Sequence, residues 1–222
     1  MTTGKTRLGC LHMHHSNIPY IDGIVPPEMA ELVHFVEPGL MRRLSAGSLA
    51  PGEARQQVER QLAWMAGCGL DAILITCTNY IATLPDEPLD LPLPLIKIDE
   101  PFFASLLTRQ TPHLLLFTNP ATVEGTMRRL HDFARQTGQD PEIEVELIDG
   151  TFELVMAGKT EEYAAAVTDH LRRLVAVGDY ATISVGQLSM ADAAQRVTAE
   201  TGVPIGNPLA SLRDHLNQTL VG

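Results

Sequence analysis

The feature that most constrains the fold is the alternation of short, continuously apolar runs with amphipathic segments. Residues 71–77 (DAILITC) and residues 113–118 (HLLLFT) are apolar at successive positions. Such runs are typical of parallel strands whose two faces are both covered by helices. Between the runs, apolar residues recur at helical spacing, as Val58, Leu62 and Met65 do in residues 51–66. This order predicts an α/β protein built on parallel sheets.

The same reading gives a set of elements along the whole chain. We predict strands at residues 8–12, 71–77, 95–98, 113–118, 143–148, 180–185 and 203–205. We predict short helices at residues 27–35 and 39–44, and longer ones at residues 51–66, 100–109, 120–136, 159–177, 189–201 and 210–220. Residues 85–94, which are rich in proline and leucine, are predicted to form a loop.

The pattern of strands and helices restarts near residue 111, which predicts two similar lobes. We assign residues 1–100 together with 207–222 to the first lobe, and residues 101–206 to the second. Each lobe is expected to hold a parallel sheet flanked by helices. Because ligands of such folds lie beyond the carboxyl ends of the strands, we expect the active site in a cleft between the lobes.

Composition excludes several classes of function. The formal net charge of −11 and the lack of a basic run disfavour nucleic acid as a partner. No apolar run approaches the roughly 18 residues of a membrane span. Three cysteines without a paired motif indicate free thiols in a reducing compartment, so we expect a cytoplasmic protein. No glycine-rich nucleotide motif is present, and we expect no cofactor. A homo-oligomer is left open.

Cys77 is the residue most suited to chemistry on position alone. It ends a buried strand and is followed at once by Thr78 and Asn79. A helix that began there would present backbone N–H groups and a positive dipole end, both of which favour a thiolate. Cys10 lies within a strand and Cys68 between two glycines, so both are predicted to serve packing. The alternative for Cys77 is the same packing role.

Four segments, in this order, resemble the aspartate/glutamate racemase superfamily. They are residues 73–79 (ILITCTN), 116–126 (LFTNPATVEGT), 183–190 (ISVGQLSM) and 204–208 (PIGNP). The superfamily includes hydantoin racemases, maleate isomerase and arylmalonate decarboxylase. The resemblance implies a two-lobed, cofactor-independent enzyme in which Cys77 acts as base or nucleophile on a small carboxylate or carbonyl substrate.

The resemblance also implies substrate-binding residues at the strand ends. These are Ser16, Asn17, Thr78, Asn79, Thr118, Asn119, Gln187 and Ser189. Hydroxyls, amides and helix N-termini suit an anionic group that has no dedicated arginine. The alternative for each of these residues is a helix cap or a turn former, since Ser, Thr and Asn commonly cap the helix that follows a strand.

A histidine of the loop after the first strand is expected to assist Cys77. In the superfamily this loop carries a helper residue. Strand alternation continued past His12 would point His12 and His14 one way and His15 the other. We therefore expect His15 to orient Cys77 or to take its proton.

Gln187 departs from the superfamily pattern, because it stands where the second catalytic cysteine is expected. Racemisation by two bases needs an acid and a base on opposite faces of the carbon atom. An amide has no proton to exchange near neutral pH. The sequence therefore favours isomerase-like, racemase-like or decarboxylase-like chemistry with weak racemisation of free aspartate and glutamate.

Two alternatives come from other classes of protein. His12 and His14 could bind a metal ion in a metal-dependent hydrolase. The later strand ends carry no further histidine or aspartate, and 222 residues is short for a barrel of eight strands and eight helices, so we expect no metal. The other alternative is a non-catalytic binder of small carboxylates on the same scaffold.

Overall fold

The structure, a computed structural model, describes residues 5–50, 52–84, 89–109 and 111–220, without the side chains of residues 41, 45, 79 and 220. Pro51, at the start of a predicted helix, and residues 85–88, in a predicted loop, lie outside the described residues. The chain divides into two compact units. Unit 1 is Met1–Glu100 with Arg213–Gly222, and unit 2 is Pro101–Leu212.

Unit 1 holds a four-stranded parallel sheet in the order β2-β1-β3-β4. Its strands are β1 (Arg7–His12), β2 (Glu31–Val36), β3 (Ala72–Ile75) and β4 (Leu95–Lys97). Its helices are α1 (Ile18–Ile24), α2 (Gly39–Ser45), α3 (Glu53–Ala66) and α4 (Thr78–Ile81). A 3-10 turn, His15–Asn17, precedes α1.

Unit 2 repeats this sheet order as β6-β5-β7-β8, again with all strands parallel. Its strands are β5 (His113–Phe117), β6 (Ile143–Leu147), β7 (Thr182–Val185) and β8 (Ile205–Gly206). The helices are α5 (Asp99–Leu107), α6 (Pro120–Gln136), α7 (Thr151–Met156), α8 (Thr160–Val177), α9 (Ala191–Thr201) and α10 (Pro208–Leu220). The first two residues of α5 and the last eight of α10 belong to unit 1.

The central strand β5 shows why this chain forms two-sided sheets. Leu114 and Leu116 point to one face and pack in a core with residues of α8 and α9. Leu115 and Phe117 point to the other face and pack with residues of α5 and α6. Each fully buried side chain of this size contributes about 1.5–3 kcal/mol. The predicted class of fold, two parallel α/β units with helices on the sheet faces, is confirmed.

Residues 27–35 do not form the predicted helix, and this prediction is wrong. Residues 31–36 (ELVHFV) are β2, the edge strand of the unit 1 sheet. The run is rich in β-branched and aromatic residues, which favour strands, and pairs along its length with β1. The helices α1 and α7 were not predicted.

Among the described residues, no helix is long and apolar enough to cross a membrane.

Gly186, which follows β7, has a packing reason to lack a side chain. A Cβ atom there would lie 2.5 Å from a ring carbon of the fully buried Phe117. We predict that Gly186→Ala lowers the free energy of unfolding by about 1–3 kcal/mol, because the ring must move within a packed core. Urea denaturation measures this change.

Gly125, inside α6, provides a matched control. A Cβ atom there would meet nothing closer than Arg129 Nη1 at 3.9 Å. Gly125→Ala should raise the free energy of unfolding by about 0.5–1 kcal/mol, because alanine favours the helix. Equal effects of the two substitutions would contradict the packing argument.

His113 is buried at the start of β5 and lies 3.0 Å from Ser184 Oγ through its Nε2. Burial, aided by the charge of Arg109, lowers the pKa of His113 to about 4. In the unfolded chain this histidine therefore binds a proton as the pH falls through about 6.5, whereas in the folded chain it stays neutral until the pH is much lower. This contribution to stability is complete above pH 6.5 and is lost as the pH falls towards 4.

We predict that the wild type loses on the order of 2 kcal/mol of stability relative to His113→Gln between pH 7 and pH 5. Glutamine keeps a polar side chain but does not titrate. The measurement is the difference between the two urea-unfolding free energies at each pH. A difference that stays constant with pH would show that His113 is not held neutral.

Candidate functional site

Cys77 lies where the sequence predicts it, just beyond the carboxyl end of β3. It precedes α4 in an extended conformation (φ −119°, ψ 119°) and is half-buried. The thiol Sγ lies 3.5 Å from Met13 Sδ. The helix expected after Cys77 does begin at Thr78, but it is a single turn, so its dipole adds little to the thiolate.

A tyrosine and a glutamate support the chain beside Cys77. The Tyr80 hydroxyl donates to Glu37 Oε2 over 2.8 Å. Burial, then the hydrogen bond and charge of Glu37, then the charge of Cys77, raise the pKa of Tyr80. Glu37 in turn accepts from the backbone N–H groups of Gly39 at 2.8 Å and Leu40 at 2.9 Å. The loop after β2 is thus fixed to α4, a contact that no local sequence signal shows.

His12, at the end of β1, starts a chain of hydrogen bonds that runs to the surface. Its Nδ1 lies 2.8 Å from Thr76 Oγ1, and its Nε2 lies 2.9 Å from Nδ1 of His34. His34 Nε2 lies 3.0 Å from Asp22 Oδ1. Burial, and then the charge of His34, lower the pKa of His12 to about 4, against a smaller opposing effect of Asp22.

The loop after β1 does not continue the strand alternation that we assumed, because β1 ends at His12. His14 is exposed and its Nδ1 lies 2.8 Å from Ser16 Oγ. His15 is also exposed, and its ring stacks on His14 at 4.2 Å between centroids. The role of His15 as a helper of Cys77 stays a prediction. Asn17 Nδ2 reaches Thr76 Oγ1 at 3.5 Å.

Gln187 and Thr118, both predicted to bind substrate, lie together at the strand ends of unit 2. Gln187 Oε1 accepts from Thr118 N at 2.7 Å, from Thr118 Oγ1 at 2.9 Å and from Asn119 N at 3.1 Å. Two of these donors are backbone N–H groups, so the atom facing them must be the amide oxygen. Gln187 therefore presents its NH₂ group on the other side.

The remaining unit 2 residues have structural partners as well. Asn119 caps α6 by accepting from Ala121 N at 3.0 Å, as the helix-cap alternative supposes. Ser189 Oγ lies 2.8 Å from the hydroxyl of Tyr163, which lies 3.2 Å from Thr118 Oγ1. Burial raises the pKa of Tyr163.

Four of the predicted binding residues, Ser16, Asn17, Thr78 and Asn79, belong to unit 1. The structure brings Thr78 next to Cys77 along the chain, and Asn17 near the end of β3. Ser16 is exposed and contacts His14, and the side chain of Asn79 lies outside the described part of the chain. The assignments of these residues to substrate binding stay predictions.

The metal-hydrolase alternative finds little support among the described residues. His12 is buried against Thr76 and His34, whereas His14 is exposed against Ser16, so the two rings have different surroundings. The described strands form two separate four-stranded sheets instead of one closed barrel of eight strands.

Comparisons with known proteins agree on the fold. No protein-family model and no curated protein sequence matches the chain. Solved structures do match. Allantoin racemase from Klebsiella pneumoniae aligns with a TM-score of 0.68 and 16% identity, over 97% of this chain and 88% of that one. Aspartate racemase from Picrophilus torridus aligns with a TM-score of 0.67 and 11% identity, over 97% and 94%.

A putative Asp/Glu racemase from Yersinia pestis aligns with a TM-score of 0.66 and 15% identity, over 98% of this chain and all of that one. The chain therefore has the two-lobed fold of the aspartate/glutamate racemases. At these identities the likeness concerns the backbone, and the chemistry must be argued from the side chains.

The three cysteines differ in their surroundings, which yields a prediction about reactivity. Burial, with a smaller effect of Asp22, raises the pKa of Cys10 to about 12. We predict that iodoacetamide at neutral pH labels Cys10 last, because its thiol is fully buried and protonated. Cys77 should be labelled first, ahead of Cys68, whose Sγ contacts Trp64 O at 3.5 Å. Peptide mapping over time measures the order.

The variant Cys77→Ser is the control for this experiment. It should lose the fastest labelling phase and leave the other two phases unchanged. Fast labelling of Cys10, or a fast phase that persists in Cys77→Ser, would contradict the assignment.

Proposed function

We propose that the protein is a cofactor-independent enzyme of the isomerase or racemase type that acts on a small carboxylate or carbonyl compound. Cys77 serves as the base or the nucleophile. The observation that carries the proposal is the half-buried Cys77 thiol at the carboxyl end of β3, in a fold shared with allantoin and aspartate racemases.

Of the three thiols, Cys77 fits this role best. Cys10 is fully buried within β1, and burial holds it in the protonated form. Cys68 lies between the end of α3 and the start of β3, so it does not follow the carboxyl end of a strand. Ligands of parallel α/β units bind beyond the carboxyl ends of the strands, which is where Cys77 lies.

The proposed reaction begins when the Cys77 thiolate takes a proton from the carbon atom next to a carboxylate or carbonyl group. The electron pair left on carbon delocalises onto the oxygen of that group. The backbone N–H groups of the first turn of α4, from Thr78 onward, have no acceptor within the helix and are suited to receive this oxygen. The Cys77 thiol then returns its proton to the same face.

Gln187 makes this a reaction with one acid–base group. Its amide oxygen is held by three donors, so its side chain offers N–H groups to an acceptor and no proton to a carbon atom. Thr118, Asn119 and Ser189 likewise have no group that titrates near neutral pH. We therefore propose exchange, isomerisation or decarboxylation with weak inversion of aspartate and glutamate.

A panel of small carboxylates and carbonyl compounds in deuterated water tests the proposal. We predict that the wild type incorporates deuterium at carbon in at least one compound and retains the configuration at that carbon. Cys77→Ala should reduce the rate by a factor of at least about 100, since the acid–base group is removed. Nuclear magnetic resonance follows the exchange, and chiral chromatography follows the configuration.

Cys68→Ala is the matched control and should exchange at the wild-type rate. Fast inversion of aspartate or glutamate with uptake of label would show that a second acid exists and that the role given to Gln187 is wrong. Exchange that survives in Cys77→Ala would reject the catalytic thiolate.

A non-catalytic binder of small carboxylates is the second candidate. The observation in its favour is the set of neutral donors at the strand ends of unit 2 without an acid among them. Ligand binding without exchange or consumption, unchanged in Cys77→Ala, would select this candidate. In either case three free cysteines favour a reducing compartment such as the cytoplasm.

A further inference from the structure

Cys10, His12 and His34 form a cluster inside unit 1 that the proposed chemistry does not use. Cys10 and His12 are two residues apart on β1 and so point to the same face of the sheet. His34 on β2 pairs in register with Cys10, which brings it to that face as well. The thiol and one nitrogen of each ring all lie within 4.8 Å of one another.

The outer ring nitrogens of both histidines already have partners. His34 Nε2 lies 3.0 Å from Asp22 Oδ1, and because an ionised carboxylate can only accept, His34 Nε2 carries the proton. His12 Nδ1 lies 2.8 Å from Thr76 Oγ1. The inner nitrogens therefore face each other, His12 Nε2 against His34 Nδ1 at 2.9 Å. A histidine whose far nitrogen bonds to a carboxylate or another oxygen is the usual arrangement behind a metal ion.

We propose that this cluster is a binding site for a divalent transition-metal ion of the zinc type. Cys10 Sγ, His12 Nε2 and His34 Nδ1 are the ligands, and a water molecule completes the tetrahedron. Zinc–nitrogen bonds of about 2.0–2.1 Å set the two ring nitrogens roughly 3.3 Å apart in a tetrahedral site. The rings need to separate by only a few tenths of an ångström from their present 2.9 Å.

The Thr76 hydroxyl allows His12 to move its proton from one ring nitrogen to the other when a metal ion binds. Without metal, the Thr76 hydroxyl can donate to His12 Nδ1, and the Nε2 proton of His12 then bridges to His34. With metal, that proton moves to Nδ1 and donates to Thr76 Oγ1, whose own proton turns to Leu11 O at 3.1 Å. Both rings stay neutral, the thiol loses its proton, and one proton is released for each ion bound.

Exposure indicates how an ion enters. Cys10 and His12 are fully buried, while the side chain of His34 is 20% exposed and that of Asp22 is 54% exposed. The ion reaches the thiol from the Asp22 side. Once bound, it would tie β1 to β2 and, through Thr76, to the end of β3.

This site differs from the pair of possible metal ligands, His12 and His14, that was considered from the sequence. It replaces the exposed His14 with His34 and Cys10, which lie 22 and 2 positions from His12. The register between β1 and β2 brings them together, and no spacing in the sequence shows that register. Cys77 is not among its ligands, so the site is independent of whether Cys77 is catalytic.

Titration of the metal-free full-length protein with Co²⁺ tests the proposal, because cobalt bound to thiolate absorbs in the near ultraviolet. We expect a thiolate-to-cobalt charge-transfer band that saturates at one ion per chain and is displaced by Zn²⁺. Cys10→Ser should abolish the band. Asp22→Ala should weaken Co²⁺ binding by about 10–100-fold, since it removes only the acceptor behind His34.

Matched controls separate this site from the other thiols and histidines. Cys77→Ser, Cys68→Ser and His15→Gln should keep the band and the affinity for Co²⁺. A band that disappears in Cys77→Ser and persists in Cys10→Ser would overturn the proposal. So would the absence of any band in the wild type.

Cys10→Ser changes a buried residue, so a second variant is needed to separate the loss of a ligand from misfolding. His34→Gln changes a partly exposed ligand, and circular dichroism checks that it folds. It should lose at least about tenfold in affinity for Co²⁺. Zn²⁺ should raise the melting temperature of the wild type and leave that of folded His34→Gln unchanged. An equal rise in both would reject the site.

Discussion

A parallel strand that is buried on both faces can present polar side chains at little cost only where it ends. This constraint places the polar residues in both units. β3 runs into Thr76 and Cys77, β5 into Thr118, and β7 into Gly186 and Gln187. The interior of β5 is apolar because helices cover both of its faces. The residues that we propose for chemistry therefore lie at the carboxyl edges of the sheets.

The two units share one sheet order but differ in what stands at this edge. In unit 1 the residue at this edge is the half-buried Cys77, whose thiol contacts Met13. In unit 2 the amide of Gln187 gathers the donors of Thr118 and Asn119 onto its oxygen. An amide held in this way satisfies the end of β5 and the N–H group of Asn119, the N-cap residue of α6. That difference is the physical reason for proposing a reaction with one acid–base group.

The sequence predicted the parts of the structure that depend on local pattern. The strands β3 and β5 are marked by continuous apolar runs, and the long helices α6 and α8 by helical periodicity. All four elements are present. β2 was missed because an edge strand is half-covered, so it shows neither the continuous apolar run of a central strand nor a clear alternation. The position of Cys77 was predictable because it follows directly from where β3 ends.

The contacts that organise the site could not be predicted, because they join residues far apart in sequence. His12 contacts His34, which lies 22 positions away in the sequence, and Thr76, which lies 64 positions away. Tyr80 contacts Glu37, which lies 43 positions away. The choice of His15 over its neighbours stays a prediction without support from alternation, because β1 ends at His12 and alternation carries no information beyond the last paired residue.

Cys10 inside β1 and His12 at its end are both fully buried in the sheet of unit 1. Leucine or valine at these positions would pack against the helices without the cost of burying a polar ring. The ring of His12 is tolerated because Thr76 and His34 satisfy both of its nitrogens, and Asp22 connects that chain to solvent. A hydrogen-bonded chain from the sheet interior to the surface stabilises less than an apolar core of the same volume. Its presence beside a buried thiol is therefore better explained by something that the cluster binds than by packing.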